Sequence, residues 1–493
     1  MTLRAKTTKG VAWVFGSSIV TRILNFIITL TLVRILSPED FGLFSVAMVV
    51  INLLDLFSGM GIGSGIIQNK KKEEAANTGL ILLPFIGLFL TMVAFFAAPF
   101  VATFYESDAL INMMRVLGVS FFLTSLKIVP SSLLEKELRF KRRVVGDIIP
   151  LIFYGGVAIF LGYSGYGVWA LIWGQMSLRV IEVFLLWYLV EWKPTFSFDM
   201  KMAKQLLGYG INIIAGSFFV FLILNGDTAL IGKVIGFSAV GFYSLAYNLA
   251  AIPSTAINQA MNRVLFPTYS LLANEKEKLR KTYLIFFLFF SVCIFPMTFG
   301  LFFLAKDITT ILYGVKWLPI AVPLQILCFF NLIRGYGGMT GVVFNAIGKP
   351  EILRNFTFAL LVFIAVLIYP ATKVYGLVGT AMVITVCSLI VNVIFVRKFF
   401  QYMGIKAREI FKIVCPALMA TTGMLIVLIL MKMFVLRKVL LINLTSLVII
   451  GALVYGLLIL LLDKKIALHI KEIRSILTNK THEESMKAKG EEK

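Results

Sequence analysis

Residues 34–42 read Arg-Ile-Leu-Ser-Pro-Glu-Asp-Phe-Gly, and they stand between two long apolar runs, residues 11–36 and 41–67. Each run is long enough to cross roughly 30 Å of hydrocarbon at about 1.5 Å per residue. The polar turn from Ser37 to Asp40 therefore joins two membrane-spanning helices into a hairpin. This hairpin predicts the organisation of the whole chain, because a second copy of it follows.

The second copy lies in the middle of the chain. Residues 41–47, Phe-Gly-Leu-Phe-Ser-Val-Ala, correspond without a gap to residues 240–246, Val-Gly-Phe-Tyr-Ser-Leu-Ala. The same offset pairs Arg34 with Lys233, so a cation is retained as well as a glycine and a serine. A gapless match of this kind indicates internal duplication. Secondary transporters are commonly built from such halves, with the substrate held between them.

The composition places the chain in the membrane class. Of its 493 residues, 59% are hydrophobic and 15% are charged, and the mean hydropathy is +0.92. These values exclude a soluble globular protein. The basic start, Met1 to Lys9, precedes an apolar run that is too long for a cleavable signal, so we expect it to open the first membrane helix.

The apolar segments predict an all-α integral membrane protein with about 14 transmembrane helices, arranged as two six-helix lobes plus two C-terminal helices. We expect an N-lobe over residues 1–190, an amphipathic cytoplasmic connector over 191–207, a C-lobe over 208–398, two further helices within 399–462, and a cytoplasmic tail over 463–493. The connector and the tail carry apolar and basic residues in the pattern of interfacial segments.

The distribution of basic residues predicts the orientation. With the N-terminus in the cytoplasm, the inner loops contain clusters such as residues 70–72, 136–143 and 276–281. The outer loops hold isolated cations, a bias of roughly fourfold. We therefore expect an inner-membrane protein with both termini in the cytoplasm. The formal net charge of +22 then reflects membrane insertion and predicts no nucleic-acid partner.

Ionisable residues inside the predicted spans point to the site, because each costs about 2.5–3.5 kcal/mol on insertion scales. Cations outnumber anions there, with Arg22, Arg115, Lys127, Arg179, Arg263 and Arg334 against Asp55, Glu182 and Asp227. The excess predicts a hydrated cavity for an anionic ligand, since guanidinium binds phosphate in a bidentate way. The alternative is internal pairing, for example of Arg179 with Glu182 three residues away.

Asparagines accompany these cations on the same helix faces. Asn25 follows Arg22 by three residues, and Asn258 lies on a polar stripe with Arg263. Amides suit the hydroxyl groups of a sugar, although interhelical hydrogen bonding would also explain them. The candidate substrate-binding residues are Arg22, Asn25, Lys127, Arg179, Asn258, Arg263 and Arg334.

Asp227 is the candidate for binding a coupling ion, Na⁺ or H⁺, with pairing to a nearby cation as the alternative. The chain has no glycine-rich phosphate loop, so we expect an ion gradient or substrate consumption to drive the protein, not ATP. The four cysteines have no metal-ligand spacing, and both histidines lie in the tail. We therefore expect no metal and no cofactor.

Several stretches resemble polysaccharide-repeat flippases of the Wzx type. They are residues 34–42, the following 55–61 (Asp-Leu-Phe-Ser-Gly-Met-Gly) and 65–68, and the later 134–141 and 345–350. The resemblance covers about the first 400 residues and extends to a superfamily with lipid II flippases and MATE exporters. It implies two six-helix lobes around a V-shaped cavity, often with two extra helices. It further implies that a lipid-diphosphate-linked oligosaccharide moves from the cytoplasmic to the outer leaflet by alternating access.

The resemblance also suggests roles for three residues. Arg22 and Arg263 match places where related lipid flippases carry cavity arginines for the diphosphate. Asp227 matches a sodium-ligand aspartate of lipid II flippases. However, the predicted helix at residues 355–369 lacks the further aspartate of that site, which puts sodium coupling in doubt.

Three alternatives remain. A MATE-like exporter of small cations would be expected to have a carboxylate-dominated cavity, against which the arginines speak. A membrane enzyme, such as a sugar polymerase or ligase, would need catalytic groups in sizeable outer loops, and the predicted outer loops are short. A lipid II flippase can be distinguished from a polysaccharide flippase only by a genetic test. Expected partners are the lipid-linked oligosaccharide, membrane lipids, and possible polymerase and export machinery.

Overall fold

The computed structural model describes residues 3–59, 61–69, 71–434 and 441–462. Within these ranges, the backbone alone is described for residues 3–12, 14, 15, 209–217, 260, 262–264, 434 and 441. The predicted tail, residues 463–493, lies outside the described residues.

The described part of the chain is all-α and contains no strand. Ten of its helices are long and apolar enough to cross a membrane. The predicted number of about 14 spans is a different count and stays a prediction. The α-helices are α1 (Leu3–Ile35), α2 (Pro38–Asp55), α3 (Ile62–Gln68), α4 (Lys72–Tyr105), α5 (Ala109–Lys136), α6 (Phe140–Tyr163), α7 (Val168–Leu189), α8 (Met200–Val234), α9 (Phe237–Leu271), α10 (Lys276–Ile308), α11 (Ala321–Ala346), α12 (Pro350–Met403), α13 (Ala407–Phe434) and α14 (Leu441–Leu462).

The turn that opens the chain's first hairpin is closed by a capping box. The Ser37 hydroxyl accepts a hydrogen bond from the Asp40 amide, and the Asp40 carboxylate accepts one from the Ser37 amide at 2.9 Å. Pro38 occupies the first turn of α2, where its missing N–H costs nothing. These residues satisfy the exposed amides of the helix start and therefore fix where α2 begins.

The second predicted span is interrupted, which the sequence did not predict. We expected one helix over residues 41–67, but α2 ends at Asp55 and α3 begins at Ile62. Gly61 adopts a left-handed conformation, with φ of 65°, which glycine takes without steric cost. Gly61 therefore allows the break between α2 and α3.

The predicted connector, residues 191–207, is divided between an extended segment and the first turns of α8. Asp199 caps α8 by accepting from the amides of Lys201 and Met202. The extended part is held to α4, because Asn77 donates to the Thr195 hydroxyl at 2.6 Å and accepts from its amide. Met202 and Leu206 are buried beside Ile62 and Ile66 of α3.

The contacts divide the chain into two compact units. Unit 1 comprises Met1–Leu245 and Thr357–Val383, and unit 2 comprises Ala246–Phe356 and Ile384–Lys493. The boundary within α12 lies near a break in that helix, where Gly376 has φ of 59°. The predicted N-lobe and C-lobe have other boundaries and stay predictions.

Unit 2 includes the two C-terminal helices as part of its core. Residues of α13 and α14, such as Met424 and Tyr455, are buried with Phe290 of α10. Ion pairs also join α13 to α10 at both ends. Arg280 donates to both carboxylate oxygens of Glu409 at 2.6 and 2.8 Å. Lys432 pairs with the buried Asp307 at 2.5 Å.

Candidate functional site

The two copies of the repeated hairpin cross within unit 1. A Cβ atom built on Gly42 of α2 would lie 1.7 Å from the carbonyl oxygen of Phe237. A Cβ atom on Gly241 of α9 would lie 2.0 Å from the carbonyl oxygen of Pro38. The offset that pairs Gly42 with Gly241 also pairs Pro38 with Phe237, so the contact is reciprocal. Only glycine allows backbones to approach this closely. We call these four residues the hairpin crossing.

Two polar contacts join the ends of α4 and α8 in the same unit. The Lys233 ammonium pairs with the Glu106 carboxylate at 2.7 Å. The Tyr105 hydroxyl donates to the Ala229 carbonyl at 3.1 Å, and its ring lies 6.3 Å from that of Phe237. The hydrogen bond and charge of Lys233 lower the pKa of Glu106 below its ordinary value. Lys233, the counterpart of Arg34 in the repeat, thus ties α8 to the end of α4.

Two of the predicted cations meet on one buried carboxylate. Lys127 of α5 contacts both oxygens of Glu182 of α7, at 2.8 and 2.9 Å. Arg179 approaches the same carboxylate at 3.4 Å, which confirms the pair expected from their spacing. The side chain of Glu182 is only 8% exposed, against 18% for Lys127 and 22% for Arg179. We call these three residues the Glu182 cluster, and it carries one net positive charge.

A second, more exposed ionic group lies beside the Glu182 cluster. Arg143 of α6 pairs with Asp147 one turn away and contacts Glu135 at 3.3 Å. Both carboxylates are 43% exposed. The charges of Arg143 and Asp147 reach the Glu182 carboxylate electrostatically. The sequence predicted the pair of Arg179 with Glu182 but not the contact of Lys127 with Glu182, because these two residues lie on different helices. It also did not single out the second group.

The structure places Arg22 and Asn25 on α1, in unit 1. Arg22 is half-buried and Asn25 is exposed. The Asn25 amide donates to the Thr21 carbonyl at 2.9 Å. Their role in binding a ligand stays a prediction.

Asp227 lies in α8, also in unit 1, and is 3% exposed. One carboxylate oxygen accepts from the Tyr243 hydroxyl at 2.7 Å, and the other accepts from the Thr228 amide at 2.7 Å. Among the described residues, no ion pair includes Asp227. Its recorded partners are therefore hydroxyl and amide groups, and Tyr243 was not among the residues that the sequence suggested.

Unit 2 contains a separate polar group on α9 and α11. The Arg334 guanidinium donates to the Tyr247 hydroxyl at 3.0 Å. Asn258 is half-buried next to Gly335, where an added Cβ would lie 3.6 Å from its Nδ2 atom. Asn331, 1% exposed, donates to the Leu327 carbonyl at 3.1 Å. Its buried Oδ1 atom has no partner among the described contacts. The structure thus places Asn258 beside Gly335, the residue that follows Arg334, whereas the side chain of Arg263 lies outside the described residues.

Comparison with known proteins gives the family. Residues 31–322, more than half of the chain, match the family model described as "Polysaccharide biosynthesis protein". The chain belongs to this family. Among its relatives, the lipopolysaccharide biosynthesis protein WzxC of Escherichia coli (strain K12) is 26% identical over 405 residues, which cover 80% of each protein.

Other relatives are named for transport. The succinoglycan biosynthesis transport protein ExoT of Rhizobium meliloti (strain 1021) is 28% identical over 324 residues, or 64% of each protein. The relatives with a stated activity are thus transporters and not enzymes.

Solved structures give the fold. Lipid II flippase MurJ, in an inward closed conformation, matches with a TM-score of 0.71 at 15% identity, over 92% of this chain and 99% of that chain. An inward-facing multidrug resistance MATE family transporter of the MOP superfamily matches with a TM-score of 0.64 at 17% identity, over 78% of this chain and 94% of that chain. The protein is an all-α, multi-pass membrane protein with this fold.

The described residues contain no group of three histidine, cysteine, aspartate or glutamate side chains that could hold a metal ion. The candidate polar features are the Glu182 cluster and the Asp227 carboxylate in unit 1 and, separately, the Arg334 group in unit 2.

Proposed function

We propose that the protein is a flippase for surface polysaccharide export. Its substrate is a polyprenyl-diphosphate-linked oligosaccharide, which it moves from the cytoplasmic to the outer leaflet by alternating access. The observation that carries the proposal is the Glu182 cluster, in which two cations share one carboxylate inside a membrane-spanning unit. Cations inside a membrane-spanning unit are costly to insert and therefore mark candidate sites for an anionic ligand. Family membership and the transport names of the relatives support it.

The candidate ligand contacts divide by chemistry. Lys127, Arg179 and Arg22 suit a diphosphate, since charge-assisted hydrogen bonds to phosphate are strong. Arg334 adds a further cation, and Asn25 and Asn258 suit sugar hydroxyls. Arg263 is included because it lies in a predicted span and because the family resemblance suggests it.

Orientation and energy source form part of the proposal. The protein lies in the inner membrane with both termini in the cytoplasm, so that the hairpin crossing lies toward the outer face. Asp227 binds the coupling ion, Na⁺ or H⁺. Polysaccharide polymerase and export machinery receive the product.

Gene deletion tests the function. The deletion strain should accumulate lipid-linked oligosaccharide in the inner leaflet and lose surface polysaccharide, and the wild-type gene should restore both. Arg22→Ala and Lys127→Met should fail to restore export at wild-type protein levels. Restoration by both variants would contradict the diphosphate contacts.

Two alternatives are separated by the same strain. A MATE-like exporter, which the shared fold allows, would leave polysaccharide unchanged and alter resistance to cationic compounds. A lipid II flippase would make the deletion lethal through loss of cell-wall precursor. Transport by proteoliposomes under a Na⁺ or a pH gradient identifies the coupling ion, and Asp227→Asn should abolish the response to that gradient.

A further inference from the structure

The Glu182 cluster has a feature that anion binding alone does not require. Its two cations already hold a carboxylate, which occupies the place where a ligand phosphate would bind. Lys127 contacts both oxygens of Glu182, so the carboxylate engages the ammonium fully. The Arg179 guanidinium has a donor that forms no hydrogen bond, because its Nε atom is buried and has no partner among the described contacts.

We propose that Glu182 is a resident counter-ion, which a phosphate of the ligand displaces while the freed carboxyl takes up a proton. The inference rests on the proposed function and assigns Glu182 a role in it. A diphosphate offers more acceptor oxygens and more charge than one carboxylate, so it competes for Lys127 and Arg179. In the empty protein, Glu182 lowers the cost of two adjacent buried cations.

The uptake of a proton follows from the state of the Glu182 carboxylate after a phosphate has displaced it. A buried carboxylate that loses both cations loses the two partners that stabilise its charge, and its charged form becomes more costly there. The neutral acid avoids that cost. Binding therefore brings in the ligand and one proton together, the proton coming from the aqueous phase that delivers the ligand.

The charges around Glu182 allow this exchange. From α5 it faces Lys127, from its own helix Arg179, and from α6 the Arg143 and Asp147 side chains. Arg143 is already matched by Asp147 and Glu135, both much more exposed than Glu182. α2 also packs on α7, and its ionisable residues are Glu39, Asp40 and Asp55. In the described part of the chain, these three acids form no contact with Glu182 that would compete with its cations.

Calorimetry on the purified full-length protein tests the proposal. The probe is geranylgeranyl diphosphate, with geranylgeraniol as the control that lacks phosphate. Titrations at pH 8, where the phosphates are ionised, are run in buffers of different ionisation enthalpy to count the protons taken up. Wild type should take up about one proton per ligand, so that affinity rises about tenfold per pH unit as pH falls.

Glu182→Gln should bind the probe with no proton uptake and should lose this pH dependence. Asp147→Asn is the matched control, because it removes a neighbouring carboxylate that forms no ion pair with Lys127 or Arg179 among the described contacts. It should keep the uptake of about one proton per ligand even where its affinity differs from that of wild type. Lys127→Gln combined with Glu182→Gln removes both members of the buried pair, which is tolerated better than loss of one. This double variant should also bind without proton uptake, though more weakly.

The outcomes separate the two proposals. Binding by wild type without proton uptake, or equal uptake by Glu182→Gln, overturns the counter-ion role and leaves the flippase proposal standing. Failure of wild type to bind the diphosphate in preference to the alcohol overturns both. Loss of proton uptake in Asp147→Asn instead of Glu182→Gln also overturns the role of Glu182.

Discussion

Gly42 lies against the Phe237 carbonyl, and Gly241 lies against the Pro38 carbonyl, so the two glycines make equivalent contacts. Each carbonyl belongs to the residue four positions before the other glycine. The separations of 1.7 and 2.0 Å for added Cβ atoms leave no room for any side chain. The contact relates the two copies of the hairpin by an approximate two-fold relation, which the sequence repeat alone could only suggest. Because all four residues belong to unit 1, the contact contributes to the packing of that unit.

Gly42→Ala and Gly241→Ala should each destabilise the described state by about 1–3 kcal/mol, since the new methyl group must displace backbone. The yield of carbodiimide coupling between Lys233 and Glu106 measures the population of that state, because the reagent joins only an amine and a carboxylate that are in contact. The cross-linked peptide, measured by mass spectrometry, should become much less abundant in both variants. Gly156→Ala is the control, because an added Cβ there meets nothing within 4 Å. Equal yields in all variants would contradict the role of the crossing.

The Lys233–Glu106 pair should give a pH-dependent contribution to stability. The pKa of Glu106 is lowered in the folded protein, so the contribution is present above the unfolded value of about 4.3 and is lost as pH falls through the folded value. The difference in Tm between wild type and Glu106→Gln should therefore be small at pH 7 and vanish in acid. Glu73→Gln, an exposed acid on α4, should show no such trend. A gap that widens in acid would refute the assignment.

Arg280→Lys should weaken the attachment of α13 to α10. Lysine lacks the planar guanidinium whose Nη2 atom contacts both oxygens of Glu409, and the loss should be roughly 1 kcal/mol for this partly exposed pair. Hydrogen exchange of the peptide containing residues 405–412 should rise. Lys278→Gln removes the more exposed pair with Glu275 and should change stability by less than about 0.5 kcal/mol. Similar effects of both variants would mean that Glu409 does not hold α13.

Tyr247→Phe should reduce polysaccharide export about 2- to 10-fold, because Arg334 loses one hydrogen bond that orients it. Arg334→Gln should reduce export further, since the cation itself is removed. The rate of appearance of surface polysaccharide in the deletion strain measures both. Tyr188→Phe is the control, because Tyr188 is 85% exposed on α7. Full activity of Arg334→Gln would remove Arg334 from the site.

Much of the fold follows from hydropathy, and the exceptions have identifiable causes. The capping box of Ser37 and Asp40 and the helices on either side were predictable, because capping and apolar length are local properties. The break between Asp55 and Ile62 was not, since glycines in a membrane helix either pack closely or unwind, and the choice depends on neighbours. The attachment of α13 to α10 likewise depends on partners 129 and 125 residues apart in the chain.

The candidate site was predictable in its charges but not in its pairings. Arg179 and Glu182 share a helix, so their spacing was enough. Lys127 reaches Glu182 from another helix, and Tyr243 meets Asp227 across a turn between two helices, so neither pairing has a signature in sequence. The Glu182 carboxylate was counted as one acid among several, and its position between two cations became visible only in the structure.

The ion pair of Asp307 affects whether a protein of this kind can lose its last two helices. The Asp307 side chain is 6% exposed, and its partner Lys432 belongs to α13. A shortened gene product that ended after α12 would keep this acid without its ammonium partner, so a neutral residue at position 307 would make the loss of the final two helices less costly.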